Sequence, residues 1–297
     1  MNTKILDGIE VAKFLKKNIN EQILSLKKRN LKPGLAAILI GSDPASQVYV
    51  KNKEKVFSKH NCLTKTFKFP DDSSEEEIID FIKKLNNDDA FHGILVQLPL
   101  PKRFNTKKIL HSVSAYKDVD GFHPFNLGLL FEGNPNFIPC TPNGILEILK
   151  YYNIKTTSKN IVIIGRSNIV GKPMFSLLSQ NFEFGNATVT LCHSKTENIS
   201  SYTKNADILI VAVGLPNMVD ATMLKKGVDI IDVGINRVND NSKKGYHLVG
   251  DVNFNSAMGI ANSITPVPGG VGPLTITMLL HNTVKACELF STRGSTG

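Results

Sequence analysis

Tryptophan is absent, cysteine is scarce and no long apolar run occurs in the 297 residues. The four cysteines, Cys62, Cys140, Cys192 and Cys287, lie far apart, with no Cys-x-x-Cys pair and no metal-ligand spacing to the seven histidines. That excludes a disulfide scaffold, leaves no metal site to expect, and makes reduced, packed thiols the expectation. No stretch approaches the roughly 18 apolar residues of a membrane span. The start, Met-Asn-Thr-Lys-Ile-Leu-Asp-Gly, lacks a long apolar signal core before a cleavage site. A soluble, cytoplasmic chain with no membrane partner is expected. Basic residues outnumber acidic ones 35 to 26, a formal charge of +9 that favours anionic ligands without choosing among them. Basic residues interleaved with stacking aromatics are missing, so no nucleic-acid partner is expected.

What is present is an alternation of short apolar runs and amphipathic stretches. Val11, Phe14, Leu15, Ile19, Ile23 and Leu26 form an apolar stripe opposite Lys13, Lys16, Lys17, Lys27 and Lys28, which predicts an opening helix with a solvated basic face. Leu35 to Ile40, closed by Gly41, predicts a buried parallel-type strand. A helix from about Ala45 to His60 and a weaker strand from Thr64 to Phe69 follow. Asp71-Asp-Ser-Ser-Glu-Glu-Glu carries the capping and acidic residues of a helix through Ile78, Ile82 and Leu85. Gly93 to Leu98 is the next strand, stopped at Pro99-Leu-Pro101 because proline cannot donate to a ladder. A helix from Ile145 to Tyr152 precedes a second block, with strands from Ile161 and at Ala187 to Leu191, Ile208 to Val213 and Val228 to Val233. Thr265 to Thr275 holds three prolines and three glycines and predicts no regular element. A helix from about Thr275 to Phe290 closes the chain, and the terminal Ser-Thr-Arg-Gly-Ser-Thr-Gly is expected to be a disordered tail or a non-native remnant. The pattern predicts an α/β chain of two domains, each a mainly parallel sheet with flanking helices. The expected boundaries are residues 1–143 plus 274–297 for the first domain and 144–273 for the second, which is Rossmann-like.

Within that second domain, Ile161 to Pro173 reads as a buried strand, a turn with Gly165 and Gly171, and a helix start. Glycines permit close backbone approach, and free N–H groups at a helix start favour an anion such as a pyrophosphate. The spacing between these glycines is longer than in the usual fingerprint, and Ser167 stands where its second glycine belongs. A dinucleotide loop and a plain strand-to-helix turn both fit that pattern. After the next strand, His193-Ser194-Lys195 offers no acid for a ribose hydroxyl; with Arg166 it suits the 2′-phosphate of NADP. In the first domain Tyr49 and Lys53 are spaced i, i+4 and share a helix face. Desolvation there would lower the Lys53 pKa and let its amine act as a base, while from the residues alone a solvated lysine is the plainer explanation. Gln97 ends an apolar strand, where it could orient a lysine or a substrate, although polar residues are common at strand ends. Asp118 and Asp120 flank Val119 beside Gly121, suiting either paired hydrogen bonds to an aminopyrimidine edge or an Asx turn.

Taken together, six ordered segments make the chain resemble the bifunctional methylenetetrahydrofolate dehydrogenase/cyclohydrolase family from its first helix to about Phe290. They are Gly41 to Lys53, Gly93 to Pro101, Lys117 to Pro124, Gly165 to Pro173, Ile231 to Asn236 and Thr265 to Thr275. The resemblance implies that Lys53 is the catalytic lysine, Tyr49 its aromatic partner beside the pterin, Gln97 the residue that positions the lysine, and Asp120 the pterin anchor. It implies that Gly165, Arg166, Ser167, Ile169, His193 and Ser194 line an NADP site with Ile235 near the nicotinamide. Pro268, Gly269 and Gly270 match the turn beside the folate. A homodimer formed through the cofactor domain and a cleft between the domains are implied too. The expected function is NADP-dependent oxidation of 5,10-methylenetetrahydrofolate to the methenyl compound, then its hydrolysis to 10-formyltetrahydrofolate. Two alternatives stand beside it: a monofunctional NADP-dependent dehydrogenase of another small substrate, and a catalytically silent folate- or nucleotide-binding protein. Leu274 departs from the family's frequent methionine, a swap of similar apolar volume.

Overall fold

The structure, a computed structural model, describes residues 2–242 and 245–293. In chain order the first elements are β1 (Lys4–Ile5), α1 (Gly8–Lys28), β2 (Gly34–Ile40), α2 (Pro44–Lys59), β3 (Leu63–Phe69), α3 (Glu75–Asn86) and β4 (Gly93–Val96). Then come α4 (Thr106–Ser112), α5 (Pro124–Glu132), α6 (Cys140–Tyr151), β5 (Asn160–Ile164), α7 (Gly171–Ser179), β6 (Thr188–Cys192), α8 (Ile199–Thr203), β7 (Ile208–Val211) and β8 (Asp229–Asp232). The last are β9 (Asn236–Asn239), β10 (Tyr246–Val249), α9 (Phe254–Ala257), β11 (Ser263–Ile264) and α10 (Gly272–Arg293). The chain divides into two compact units, Leu15–Cys140 with Ile276–Gly297, and Met1–Phe14 with Thr141–Thr275.

The unit containing Leu15–Cys140 is built on a parallel three-stranded sheet in the order β3-β2-β4. Its central strand β2 is buried along its whole length. Because successive side chains in a strand point to opposite faces, β2 serves two cores at once. Leu35, Ala37 and Leu39 pack with Ile19, Ile23 and Leu26 of α1, Phe57 of α2 and Leu279, Leu280 and Val284 of α10. Ala36, Ile38 and Ile40 pack with Ile78, Ile82 and Leu85 of α3. Local signals fix where the helices begin. The Asp43 carboxylate accepts from the Ser46 N–H at 2.7 Å, with Pro44 in the first turn of α2. The Ser74 hydroxyl accepts from the Glu77 N–H at 3.0 Å, with Glu75, Glu76 and Glu77 against the helix dipole.

The other unit carries a six-stranded sheet in the order β1-β11-β8-β7-β5-β6, with every pair parallel. Strand β5 lies between β6 and β7, so the strand order reverses at its carboxyl end, where doubly wound sheets bind ligands. A hairpin of β9 and β10 stands apart from this sheet.

Several boundaries differ from those the sequence suggests. Residues 1–14 join the six-stranded unit, since β1 pairs with β11 through Lys4 with Ser263 and Ile5 with Ile264. Two-residue strands are too short for periodicity to announce. Helix α6 opens at Cys140 and α10 at Gly272, each with a proline early in the helix, Pro142 and Pro273. Proline's missing N–H is tolerated in a first turn, so Thr265 to Thr275 is irregular only as far as Val271. Phe14, assigned to the apolar stripe, is 48% exposed and its ring packs on Tyr151 at 5.3 Å between centroids. Ser291 to Arg293 of the expected tail continue α10, and 294–297 lie outside the described residues. No described helix is long and apolar enough to cross a membrane.

The side chain of Phe57 is fully buried in the core beneath β2. Phe57→Ala should lower stability by about 3–5 kcal/mol, read as a shift in the urea midpoint.

Candidate active site

In the unit built on β2, the end of the central sheet and one helix bring the expected catalytic residues together. Lys53 lies on the third turn of α2, one turn after Tyr49, and its Nζ donates to Gln97 Oε1 at 2.9 Å. Gln97 follows β4 and is 8% exposed. Its backbone N–H donates to Ile38 O at 2.9 Å, and its Nε2 donates to Leu98 O at 2.6 Å. With Nε2 committed to that carbonyl, Oε1 has to face Lys53. The sheet thereby fixes the direction of the amide that receives the lysine.

Asp120 completes the group. Its carboxylate acts electrostatically on Lys53, with the Cys140 thiol in the same field. Burial lowers the Lys53 pKa below the ordinary lysine value, against the pull of Asp120 and Cys140 in the other direction. Burial likewise raises Asp120; Lys53 opposes this shift and Asp118 adds to it. The free energies of the two charged forms are thus brought closer to those of the neutral forms than in water, which is the condition for moving a proton at neutral pH. Tyr49 is 42% exposed.

The neighbouring residues of the same loop have structural duties. Lys117 is buried and its ammonium donates to Leu85 O at 2.9 Å and Asp88 O at 2.8 Å, satisfying carbonyls at the end of α3. Asp118 accepts from the N–H of Phe122 at 3.2 Å, the N–H of His123 at 2.8 Å and Asn126 Nδ2 at 2.8 Å. Val119 is buried in the core, and Asn282 of α10 donates to its carbonyl at 2.8 Å. The residues alone left both aspartates open to ligand binding and an Asx turn, and the resemblance picked Asp120 for the ligand; the loop gives Asp118 the second role. Sequence reasoning missed Cys140, whose thiol donates to Val119 O at 3.4 Å. Nothing in the spacing of Cys140 marks it, since only the fold carries it to Asp120.

The six-stranded unit holds a cavity of about 280 Å³ lined by Gly165, Arg166, Ser167, His193, Ser194 and residues after β7. It lies at the carboxyl ends of β5, β6 and β7, on both sides of the point where strand order reverses. The two glycines of the turn between β5 and α7 serve chain packing: a Cβ on Gly165, whose φ is +118°, would sit 2.2 Å from Ala212 O, and one on Gly171 would sit 1.9 Å from Gly165 O. The unusual spacing follows from this geometry, because α7 must start directly against the Gly165 carbonyl. Ser167 Oγ accepts from the Val170 N–H at 3.1 Å and holds the turn. His193 Nδ1 accepts from the Lys195 N–H at 3.2 Å, which fixes the ring's orientation through that nitrogen. Ile169 and Ile235 are not among the lining residues and stand 38% and 44% exposed. Val213, Leu215 and Met218 do line the cavity and were missed; the end of an apolar strand followed by Gly214 was the available signal. Pro268, Gly269 and Gly270 form the turn after β11, where the Gly8 N–H donates to Gly269 O at 2.9 Å.

The residues present fit a dinucleotide phosphate on chemical grounds. The cavity gathers a guanidinium, two hydroxyls and an imidazole, and it includes no carboxylate. Among the described residues, no three His, Cys, Asp or Glu side chains gather as a metal site would require.

Comparison with known proteins agrees with both halves. Residues 6–120 match the catalytic domain of tetrahydrofolate dehydrogenase/cyclohydrolase, and residues 139–291 its NAD(P)-binding domain. The bifunctional protein FolD of Acetivibrio thermocellus is 49% identical over 289 residues, covering 97% of this chain and 98% of that protein. The crystal structure of the bifunctional FolD enzyme from Campylobacter jejuni is 44% identical, with a TM-score of 0.91 over 97% of this chain and 99% of that one. A Trypanosoma brucei methylenetetrahydrofolate dehydrogenase-cyclohydrolase, solved with NADP cofactor and an inhibitor, is 35% identical with a TM-score of 0.92 and covers the whole of both chains. The chain belongs to the tetrahydrofolate dehydrogenase/cyclohydrolase family.

Proposed function

We propose that this protein is a bifunctional enzyme of one-carbon folate metabolism, oxidising 5,10-methylenetetrahydrofolate with NADP⁺ and hydrolysing the resulting methenyl compound to 10-formyltetrahydrofolate. Family membership over both domains supports the pair of activities and favours neither the monofunctional nor the silent alternative. The observation that carries the hydrolytic half is the 2.9 Å bond from Lys53 Nζ to Gln97 Oε1 with Asp120 beside it.

NADP⁺ supplies the hydride acceptor. Arg166, Ser167, His193 and Ser194 would hold its phosphates and ribose, and Ile235 would flank the nicotinamide. Bridging-carbon oxidation leaves a cation shared by two nitrogens, and this step asks the protein mainly for orientation. Hydrolysis needs proton transfer. The neutral Lys53 amine takes a proton from the water that attacks the methenyl carbon. The resulting ammonium returns it to the departing ring nitrogen as the ring opens, the hydroxyl proton of the tetrahedral intermediate leaves to solvent as the formyl C=O forms, and Gln97 keeps Nζ aimed throughout. Asp120 anchors the pterin through paired hydrogen bonds, and Tyr49 lies against the ring. We assign folate to the unit of Leu15–Cys140 and the cofactor to that of Thr141–Thr275; Pro268, Gly269 and Gly270 are folate residues on the resemblance alone. A homodimer formed through the cofactor unit, a cytoplasmic location and no nucleic-acid partner belong to the same reading, which the resemblance and the composition support.

Lys53→Met should lower cyclohydrolase turnover by about 10²–10⁴-fold, the usual worth of a positioned base, while NADPH binding followed by fluorescence stays unchanged. Undiminished hydrolysis of methenyltetrahydrofolate would refute the role. The pH profile gives a second check. A base must be neutral, so hydrolysis should rise with pH along a limb set by the lowered Lys53 pKa. The Asp120 charge holds that pKa up. Asp120→Asn should therefore move the limb to lower pH in addition to weakening folate binding; a shift to higher pH contradicts the assignment.

A further inference from the structure

Two buried carboxylates in the six-stranded unit have no part in the chemistry above. Asp232 ends β8 and Asp251 follows β10, and they are 3% and 0% exposed. Between them the chain leaves through the β9–β10 hairpin and returns. Asp251 Oδ2 accepts from the N–H of Val213 at 2.7 Å and of Gly214 at 3.0 Å, both beyond the end of β7. Its Oδ1 accepts from Asn236 Nδ2 at 2.8 Å, the residue after Ile235. Asp232 in turn accepts from the N–H of Gly234 at 3.0 Å, of Asp251 at 2.9 Å and of Val252 at 2.9 Å. Burial pushes the Asp232 carboxyl up to about 7.

Two glycines make room for this arrangement reciprocally. A Cβ on Gly234 would sit 2.2 Å from Asp251 Oδ1, and one on Gly250 would sit 1.8 Å from Asp232 Oδ2. In sequence the device is Asp232-Val-Gly234 and Gly250-Asp251, each carboxylate seated in the gap left by the other segment's glycine. The groups it satisfies are not ladder groups. Val213 and Gly214 lie past the last residue of β7, and Val213 lines the 280 Å³ cavity with Leu215. One side chain thus grips a wall of that cavity and the turn that carries Ile235.

We propose that Asp251 is a positioning residue for the cofactor, fixing Val213–Gly214 and Ile235–Asn236 at one spacing, with Asp232 holding the backbone of Asp251 itself. The proposal rests on the placement of NADP⁺ in this cavity argued above. A carboxylate shared by two backbone donors and an amide makes charge-assisted bonds, which are shorter and stronger than neutral ones. Loss of the charge frees two loop segments at once.

The test uses the full chain carrying Asp251→Ala, Asp251→Asn, Arg166→Ala or Val228→Ala. Steady-state dehydrogenase kinetics in NADP⁺, cyclohydrolase turnover and a thermal melt are measured on each. Asp251→Ala should raise KM for NADP⁺ by about 10- to 100-fold, roughly the worth of one charged hydrogen bond, with cyclohydrolase turnover within about twofold of the parent. Asp251→Asn keeps the volume and one acceptor, so its KM should fall between the two; it carries the test if the alanine variant does not fold. Val228→Ala truncates a fully buried side chain in the same unit's core, away from the cavity, and controls for lost stability. A parental KM in the Asp251 variants with a raised one in Arg166→Ala overturns the positioning role alone. An equal rise in Val228→Ala also overturns it. Parental kinetics in both Arg166→Ala and the Asp251 variants overturn the cofactor placement underneath.

Discussion

Holding a lysine amine half out of water beside a carboxylate is the constraint around which the smaller sheet is arranged. Burial opposes the charge of Lys53 and of Asp120 alike, and each is stabilised by the other only while their separation is kept. Flexible side chains do not keep a separation by themselves. Here the amide of Gln97 is locked by the Leu98 carbonyl, and its strand is locked to β2 through Ile38. The Asp120 side is held by Asp118, whose carboxylate gathers two backbone N–H groups and Asn126, and by Val119, which is buried in the core. The order of the active group is therefore a property of backbone hydrogen bonds some distance from the chemistry.

The six-stranded unit solves a related problem with a different device. Strand ends at the switch point leave N–H groups without ladder partners, and the ligand cavity is built from those ends. At Val213 and Gly214 such groups are taken by the buried Asp251. In both units a carboxylate that touches no proposed ligand, Asp118 in one and Asp251 in the other, shapes a loop that does. Buried acids of this kind are easily mistaken for catalytic ones, and the distinction rests on whether their oxygens are already filled by backbone donors.

Much of this was legible before any coordinates. The alternation of apolar runs placed the long strands β2, β5 and β7 within a residue or two, because a buried parallel strand shows itself as a continuous apolar run. Tyr49 and Lys53 were put on one face by helical spacing alone. Elements without a period escaped: the two-residue strands β1 and β11, the hairpin of β9 and β10, and the short helices α4 and α5. The proline- and glycine-rich stretch before α10 misled in part, since composition does not tell a first helical turn from a loop.

The sequence by itself determined the alternating α/β architecture, the strand-turn-helix around Gly165 and the residue types of the site, because these depend on local periodicity and on side-chain chemistry. Only the tertiary structure decided that Asp120 is the carboxylate whose charge acts on Lys53, that Cys140 lies in the same field, and that β1 completes the six-stranded sheet. The physical reason is common to all three. In an irregular loop, or in a segment paired with one hundreds of residues away, no repeat fixes where a side chain points, and its partners are set by packing.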